Sequence, residues 1–63
     1  MSNNTQSIRA QVLQAKDELL KMKRKELWLF AQNKGWNKSG TYFMWYKEAL
    51  LNIGIDYSKA AIK

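Results

Sequence analysis

The chain has 63 residues, and eleven Lys and Arg against five Asp and Glu give a formal net charge of +6. It contains no Cys and no His, which excludes disulfides, the usual zinc sites and the side chain that most often serves as acid or base near neutral pH. A chain this short forms one small domain that buries only about 60% of the surface exposed on unfolding, so self-association or a bound partner would help to stabilise it. We therefore expect a basic binding protein that is not an enzyme and uses neither metal nor cofactor.

Residues 1–6 are polar and predict a flexible tail ahead of a single helical domain over residues 7–63. Apolar residues within 1–20 are scattered among Gln, Arg and Lys, unlike the continuous apolar core of a signal peptide. No stretch approaches the roughly 20 apolar residues that span a bilayer. We expect a cytoplasmic protein with no membrane partner.

After the tail, apolar residues recur at alternating steps of four and three, which predicts a helix. The members of this stripe are Ile8, Val12, Ala15, Leu19 and Met22. Additional apolar residues, Leu13 and Leu20 among them, widen the stripe to more than half the circumference of the helix. We therefore expect this helix to pack against two neighbouring surfaces. Charged residues interrupt it at 23–26. We predict one helix over about residues 7–32, in which either the charged side chains extend outward to solvent or the helix bends or breaks near residues 23–26.

Gly35 and two Asn residues predict a turn over residues 33–39, because these residue types end helices and tolerate unusual backbone angles. Either Asn37 or Ser39 can cap the next helix. We predict that this second helix covers about residues 40–53.

A left-handed Gly54 is expected to end the second helix, followed by a hydrophobic contact from Ile55. Asp56 can then cap a short helical turn over residues 57–62. The predicted fold class is therefore all-α, a small bundle of two main helices with a C-terminal helical turn.

The first candidate site is a cationic run in which four of five consecutive residues are basic: Lys21, Lys23, Arg24 and Lys25. On a continuous helix, three of these cations, Lys21, Arg24 and Lys25, share about 100° of arc with the ring of Trp28. Cations neutralise phosphates, and a ring can stack on a base or receive an arginine. The alternatives are a solvated helix face and, for Trp28, a ring buried against the second helix or folded over a neighbouring cation.

The second candidate site is the turn before the second helix, where free amides at a helix start and neighbouring cations can bind an anion. The residues concerned are Lys34, Lys38, Ser39, Gly40 and Thr41. The alternative is a capping turn in which Trp36 is a hydrophobic plug. The two interpretations are compatible.

The same turn carries Gly35-Trp36, then Ser39-Gly40-Thr41, then an aromatic and apolar helix. In this order, residues 27–51 resemble the SAP family of helix-extended-helix DNA-binding motifs. The chain departs from that pattern at Tyr42, where Lys is usual, and at Ala31, where a larger apolar residue is common. The resemblance implies contact with duplex DNA through the turn and the start of the second helix. The residues nearest the phosphates would then be Lys34, Lys38, Ser39, Gly40 and Thr41.

A cluster of aromatic residues opens the second helix: Tyr42, Phe43, Trp45 and Tyr46. Such a cluster can form a base-stacking platform, although consecutive aromatics more often supply the core of a small domain. The few carboxylates are spread along the chain without a motif that pairs them, which argues against catalysis.

Together these features predict a small basic nucleic-acid-binding protein that acts mainly through phosphate contacts as an accessory or regulatory factor. DNA is favoured over RNA on the SAP resemblance alone. The alternative is a protein-binding inhibitor or adaptor that docks a basic helix face on an acidic partner, with dimerisation through the first-helix stripe left open. Nucleic-acid binding should depend steeply on salt, whereas an inhibitor should form one defined stoichiometric complex.

Overall fold

The computed structural model describes residues 7–60, in which all regular structure is helical. Four α-helices and a final 3-10 helix follow one another as α1 (Ile8–Gln14), α2 (Lys16–Leu19), α3 (Arg24–Lys34), α4 (Gly40–Asn52) and Tyr57–Lys59. The predicted all-α fold class is thus confirmed. The predicted tail over residues 1–6 and the last two residues of the predicted C-terminal turn, 61–62, lie outside the described residues.

The first predicted helix is divided into α1, α2 and α3. Ala15 leaves helical geometry between α1 and α2, with φ −97° and ψ 15°. After α2 the chain tightens into a turn over residues 20–23, and Lys23 is extended, with φ −85° and ψ 165°. The carboxylate of Glu26 accepts a hydrogen bond from the Lys23 amide at 2.9 Å, so the acidic residue that interrupts the apolar stripe caps α3. Of the two alternatives for the charged residues in the stripe, a break is the one observed, and it lies over residues 20–23 and not over 23–26. The second interruption, at Ala15, was not predicted.

The core draws on every α-helix and on the α3–α4 turn. Its buried members are Val12, Leu19, Leu27, Ala31, Trp36, Tyr46, Ala49 and Leu50. Helix α1 packs along α4, and the Tyr46 hydroxyl donates a 2.8 Å hydrogen bond to the Leu27 carbonyl, which joins α4 to α3. Burial of this phenol, assisted by nearby Tyr57, raises the pKa of Tyr46. The break between α2 and α3 allows residues from both to reach one core.

Local signals determine both ends of α4. Ser39 is extended and its hydroxyl accepts a hydrogen bond from the Tyr42 amide at 3.3 Å, as the cap prediction required. Gly54 adopts φ 96°, and the Ile55 amide donates to the Leu50 carbonyl at 2.8 Å, which is the predicted left-handed helix end. The predicted second helix is confirmed to within one residue.

Asp56 caps the 3-10 helix as predicted: its carboxylate accepts hydrogen bonds from the Ser58 amide at 3.2 Å and the Ser58 hydroxyl at 2.7 Å. Of these contacts, the hydroxyl bond does most to lower the pKa of Asp56. Each helix within residues 7–60 is too short or too polar to cross a membrane.

Candidate functional site

A groove of about 760 Å³ lies between the start of α1, the α3–α4 turn and the first half of α4. We call it the basic groove, because three cations line it: Arg9, Lys34 and Lys38. Three aromatic residues complete the lining: Trp36, Tyr42 and Trp45. The groove therefore combines positive charge with ring surface, and its members come from three separate segments of the chain.

Trp36 anchors the groove to the core. Its side chain is 3% exposed, and its indole Nε1–H donates a 3.0 Å hydrogen bond to the Oε1 atom of Gln11 on α1. The ring lies 5.6 Å from Phe30 and 5.4 Å from Tyr46, measured between centroids. The prediction that Trp36 is a hydrophobic plug is confirmed. Its hydrogen bond to Gln11 also links α1 to the α3–α4 turn.

The three cations of the groove differ in how their charge is compensated. Arg9 forms an ion pair with Glu48 of α4, and it is the single ion pair in residues 7–60. Lys34 places its Nζ atom 5.5 Å from the centroid of the Phe30 ring, and the aliphatic part of Lys38 lies beside Gly35. The charges of Lys34 and Lys38 are thus without a carboxylate partner in the described chain and remain available to an anion.

Tyr42 and Trp45 form an aromatic pair at the surface of the groove. Their ring centroids are 5.7 Å apart and their planes differ by 33°, yet the two residues remain 40% and 43% exposed. Within the aromatic cluster of α4, the core interpretation is confirmed for buried Tyr46 and half-buried Phe43. For Tyr42 and Trp45, which stay exposed, it is wrong.

The start of α4 is open to solvent beside the groove. Ser39, Gly40 and Thr41 are exposed, and no atom lies within 4 Å of the position that a Cβ on Gly40 would take. Of the five turn residues predicted as a site, Lys34 and Lys38 line the groove, whereas these three are not part of its lining.

The cationic face predicted from residues 21–28 is not one helix face. Because the chain turns at residues 20–23, Lys21 lies before α3 and does not share a helix with Lys25 and Trp28, so the wheel argument for Lys21 is wrong. Arg24 is partly buried: it donates to the Ser58 carbonyl at 3.3 Å and lies 5.6 Å from the Tyr57 ring. Lys25 remains exposed.

Trp28 belongs to a second surface, which we call the outer face. Its ring is 41% exposed and meets Phe43 edge-on at 5.1 Å. Phe43 in turn lies 5.4 Å from Tyr57, and the Nζ atom of Lys47 lies 4.8 Å from the Phe43 ring. Trp28 therefore packs against α4 while staying partly accessible. This is intermediate between a ring available for stacking and a ring buried against the second helix. None of the predicted residues Lys21, Arg24, Lys25 and Trp28 lines the basic groove.

Sequence reasoning missed Arg9 and the exposed state of the Tyr42–Trp45 pair. No local signal marks Arg9, because the packing of α1 on α4 brings it to Glu48, 39 residues away in sequence. The three-residue spacing of Tyr42 and Trp45 does place them together on one flank of α4, beside the buried stripe of Tyr46 and Leu50.

The basic groove offers two uncompensated ammonium groups next to accessible rings, an arrangement suited to holding an anion that carries a flat group. No family model, no curated protein and no solved structure shows a significant match to this chain.

Proposed function

We propose that the protein binds nucleic acid through the basic groove, mainly by phosphate contacts from Lys34 and Lys38, as a small accessory or regulatory factor. The observation that carries the proposal is the presence, in one groove, of two lysines without carboxylate partners and two rings that remain accessible. Lysines that neutralise phosphates release counterions, and ring faces stack on bases. A nucleic acid is the polyanion that uses both features.

The charge balance of the whole chain supports this proposal. The net charge is +6, and within residues 7–60 only Arg9 is neutralised by an ion pair. The surface therefore carries an excess of positive charge, which attracts a polyanion over distances of about 10 Å at 0.1 M salt and speeds its association.

The preference for DNA over RNA rests on the resemblance to the SAP motif. Residues 24–52 form a helix, a turn and a second helix: α3 ends at Lys34, and Ser39 is extended just before α4 begins at Gly40. Gly40 and Thr41 are open to solvent, so a phosphate bound in the groove can also approach the first amides of α4.

A second candidate function is that of an inhibitor or adaptor of an acidic protein, with dimerisation as a further option. The observation that favours it is the exposure of two leucines from the first apolar stripe, Leu13 at 60% and Leu20 at 48%. A protein interface would cover such side chains.

The test measures the salt dependence of binding to a labelled DNA duplex by fluorescence anisotropy. The double variant Lys34→Gln, Lys38→Gln removes two phosphate contacts. The negative slope of log affinity against log salt should become shallower by about 2, since each contact contributes about 0.9 to its size. The matched control, Lys21→Gln with Lys25→Gln, removes the same charge outside the groove and should leave most of the slope intact.

Two outcomes would contradict the proposal. If the control loses the slope and the groove variant keeps it, the nucleic acid binds the segment over residues 21–25. If the parent shows no salt-dependent binding but forms a complex of fixed stoichiometry with an acidic protein, the second candidate function replaces the first.

A further inference from the structure

We infer that the basic groove accepts an unpaired nucleotide, whose base stacks on the Tyr42–Trp45 pair while its phosphate meets Lys34 and Lys38. This inference rests on the proposed function and adds the state of the nucleic acid that the groove selects. The protein should therefore bind single strands in a way that it cannot bind a duplex.

The aromatic pair supplies the surface for the base. Tyr42 and Trp45 are in contact, with planes that differ by 33°. Both line the groove, and each keeps about two fifths of its surface accessible. In a duplex both faces of every base are covered by neighbouring bases, whereas an unpaired base can turn out and stack on a side chain. The accessible ring pair can therefore stack on an unpaired base, whereas the bases of a duplex leave no face free for this contact.

The dimensions and charges of the groove agree with one nucleotide. Its volume of about 760 Å³ falls in the range of roughly 300–1,000 Å³ typical of small-ligand sites. Lys38 lines the groove together with Tyr42, so a cation and a ring can meet the same ligand. Arg9 is engaged by Glu48, which assigns the phosphate to Lys34 and Lys38 instead.

Trp28 provides a matched control. It has nearly the same exposure as Trp45, 41% against 43%, and it also lies beside a second ring. It belongs to the outer face and does not line the groove. A base that stacks in the groove should therefore respond to a change at Trp45 and be indifferent to the same change at Trp28.

The experiment compares Trp45→Leu, Trp45→Phe and Trp28→Leu with the parent. The probes are a labelled 12-nucleotide oligothymidine, the corresponding oligouridine and a 12-base-pair DNA duplex, in the same buffer. Trp45→Leu should weaken single-strand binding by at least about tenfold, the scale of one lost stacking contact, and change duplex binding by less than about twofold. Trp45→Phe should restore most of the loss, and Trp28→Leu should behave as the parent. The DNA and RNA strands distinguish the two sources of an unpaired nucleotide.

A second measurement does not depend on the variants being folded. In the nitrogen–proton NMR spectrum of the parent, the indole signal of Trp45 should move on addition of oligothymidine, and that of Trp28 should not. If single-strand and duplex affinities fall equally in Trp45→Leu, or if only the Trp28 signal moves, this inference is wrong while the proposed function stands. If the parent binds none of the three probes, both fail.

Discussion

Replacement of Trp36 by alanine is expected to unfold most of the protein. The side chain is 3% exposed, contacts Phe30 and Tyr46, and donates a hydrogen bond to Gln11. Truncating a buried aromatic to alanine costs about 3–5 kcal/mol, and loss of the indole donor adds about 0.5–1.5 kcal/mol. A domain of 63 residues has a total free energy of unfolding of only about 3–9 kcal/mol at the usual value per residue. The variant thus loses most or all of its stability.

Trp28→Ala is the comparison that makes this prediction specific to position. The Trp28 ring is 41% exposed and has an edge-on contact with Phe43, so its loss should cost about 1–3 kcal/mol. This exceeds the effect of about 0.5 kcal/mol that is typical of a fully exposed side chain, because the ring is partly covered by Phe43 of α4.

Thermal unfolding followed by far-ultraviolet circular dichroism measures both variants. For a domain of this size, 1 kcal/mol shifts Tm by about 4–8 °C. We expect Tm to fall from the parent to Trp28→Ala, and the cooperative transition to be lost in Trp36→Ala. A Trp36→Ala protein that melts near the parent, or one that melts above Trp28→Ala, would refute the assignment of Trp36 as the residue that joins α1 to the turn.

Two further predictions concern Gly40 and Tyr46. Gly40→Leu should leave Tm unchanged or raise it, because the new Cβ meets no neighbouring group within 4 Å and Leu is the better helix former. The same change should weaken DNA binding, because the Leu side chain covers the first amides of α4. If the affinity for DNA is unchanged, the phosphates bind elsewhere. Burial, and then Tyr57, raises the pKa of Tyr46 above its ordinary value of 10.0, so the unfolded chain loses this proton first and stability falls as the pH rises above about 10. Tyr46→Phe should be less stable than the parent at pH 8, since it lacks the hydrogen bond to Leu27. In urea unfolding, however, it should lose less stability than the parent between about pH 8 and pH 11. An equal loss in both proteins would assign the alkaline effect to other groups.

The parts of the fold that follow from short-range signals could be predicted from the sequence. Ser39 and Gly54 define the ends of α4 through contacts within a few residues, and such contacts are readable without tertiary structure. The division of the first helix was only partly readable. Glu26 marked the interruption, but its role as the cap of α3 depends on the extended backbone at Lys23, which helical spacing does not reveal.

The candidate site could be predicted only in part, because its members meet through long-range packing. Lys34 and Lys38 were found by their position next to a helix start, whereas Arg9 reaches the groove because α1 packs on α4. The cationic face at residues 21–28 illustrates the opposite error. A helical wheel assumes one continuous helix, and the turn over residues 20–23 removes Lys21 from that wheel.

Arg24 is less available to a phosphate in the free protein than the two lysines of the basic groove. Before Arg24 can bind a phosphate, its hydrogen bond to Ser58 and its contact with the Tyr57 ring must break. The loss of these contacts makes the binding free energy less favourable. Within residues 7–60 the Lys38 ammonium has no hydrogen bond or ion pair to lose, and Lys34 has only a ring contact with Phe30, worth about 0.5–1 kcal/mol at an exposed site. A phosphate in the groove would therefore require little reorganisation of the protein, whereas a phosphate bound by Arg24 would compete with contacts that hold the C-terminal segment against α3.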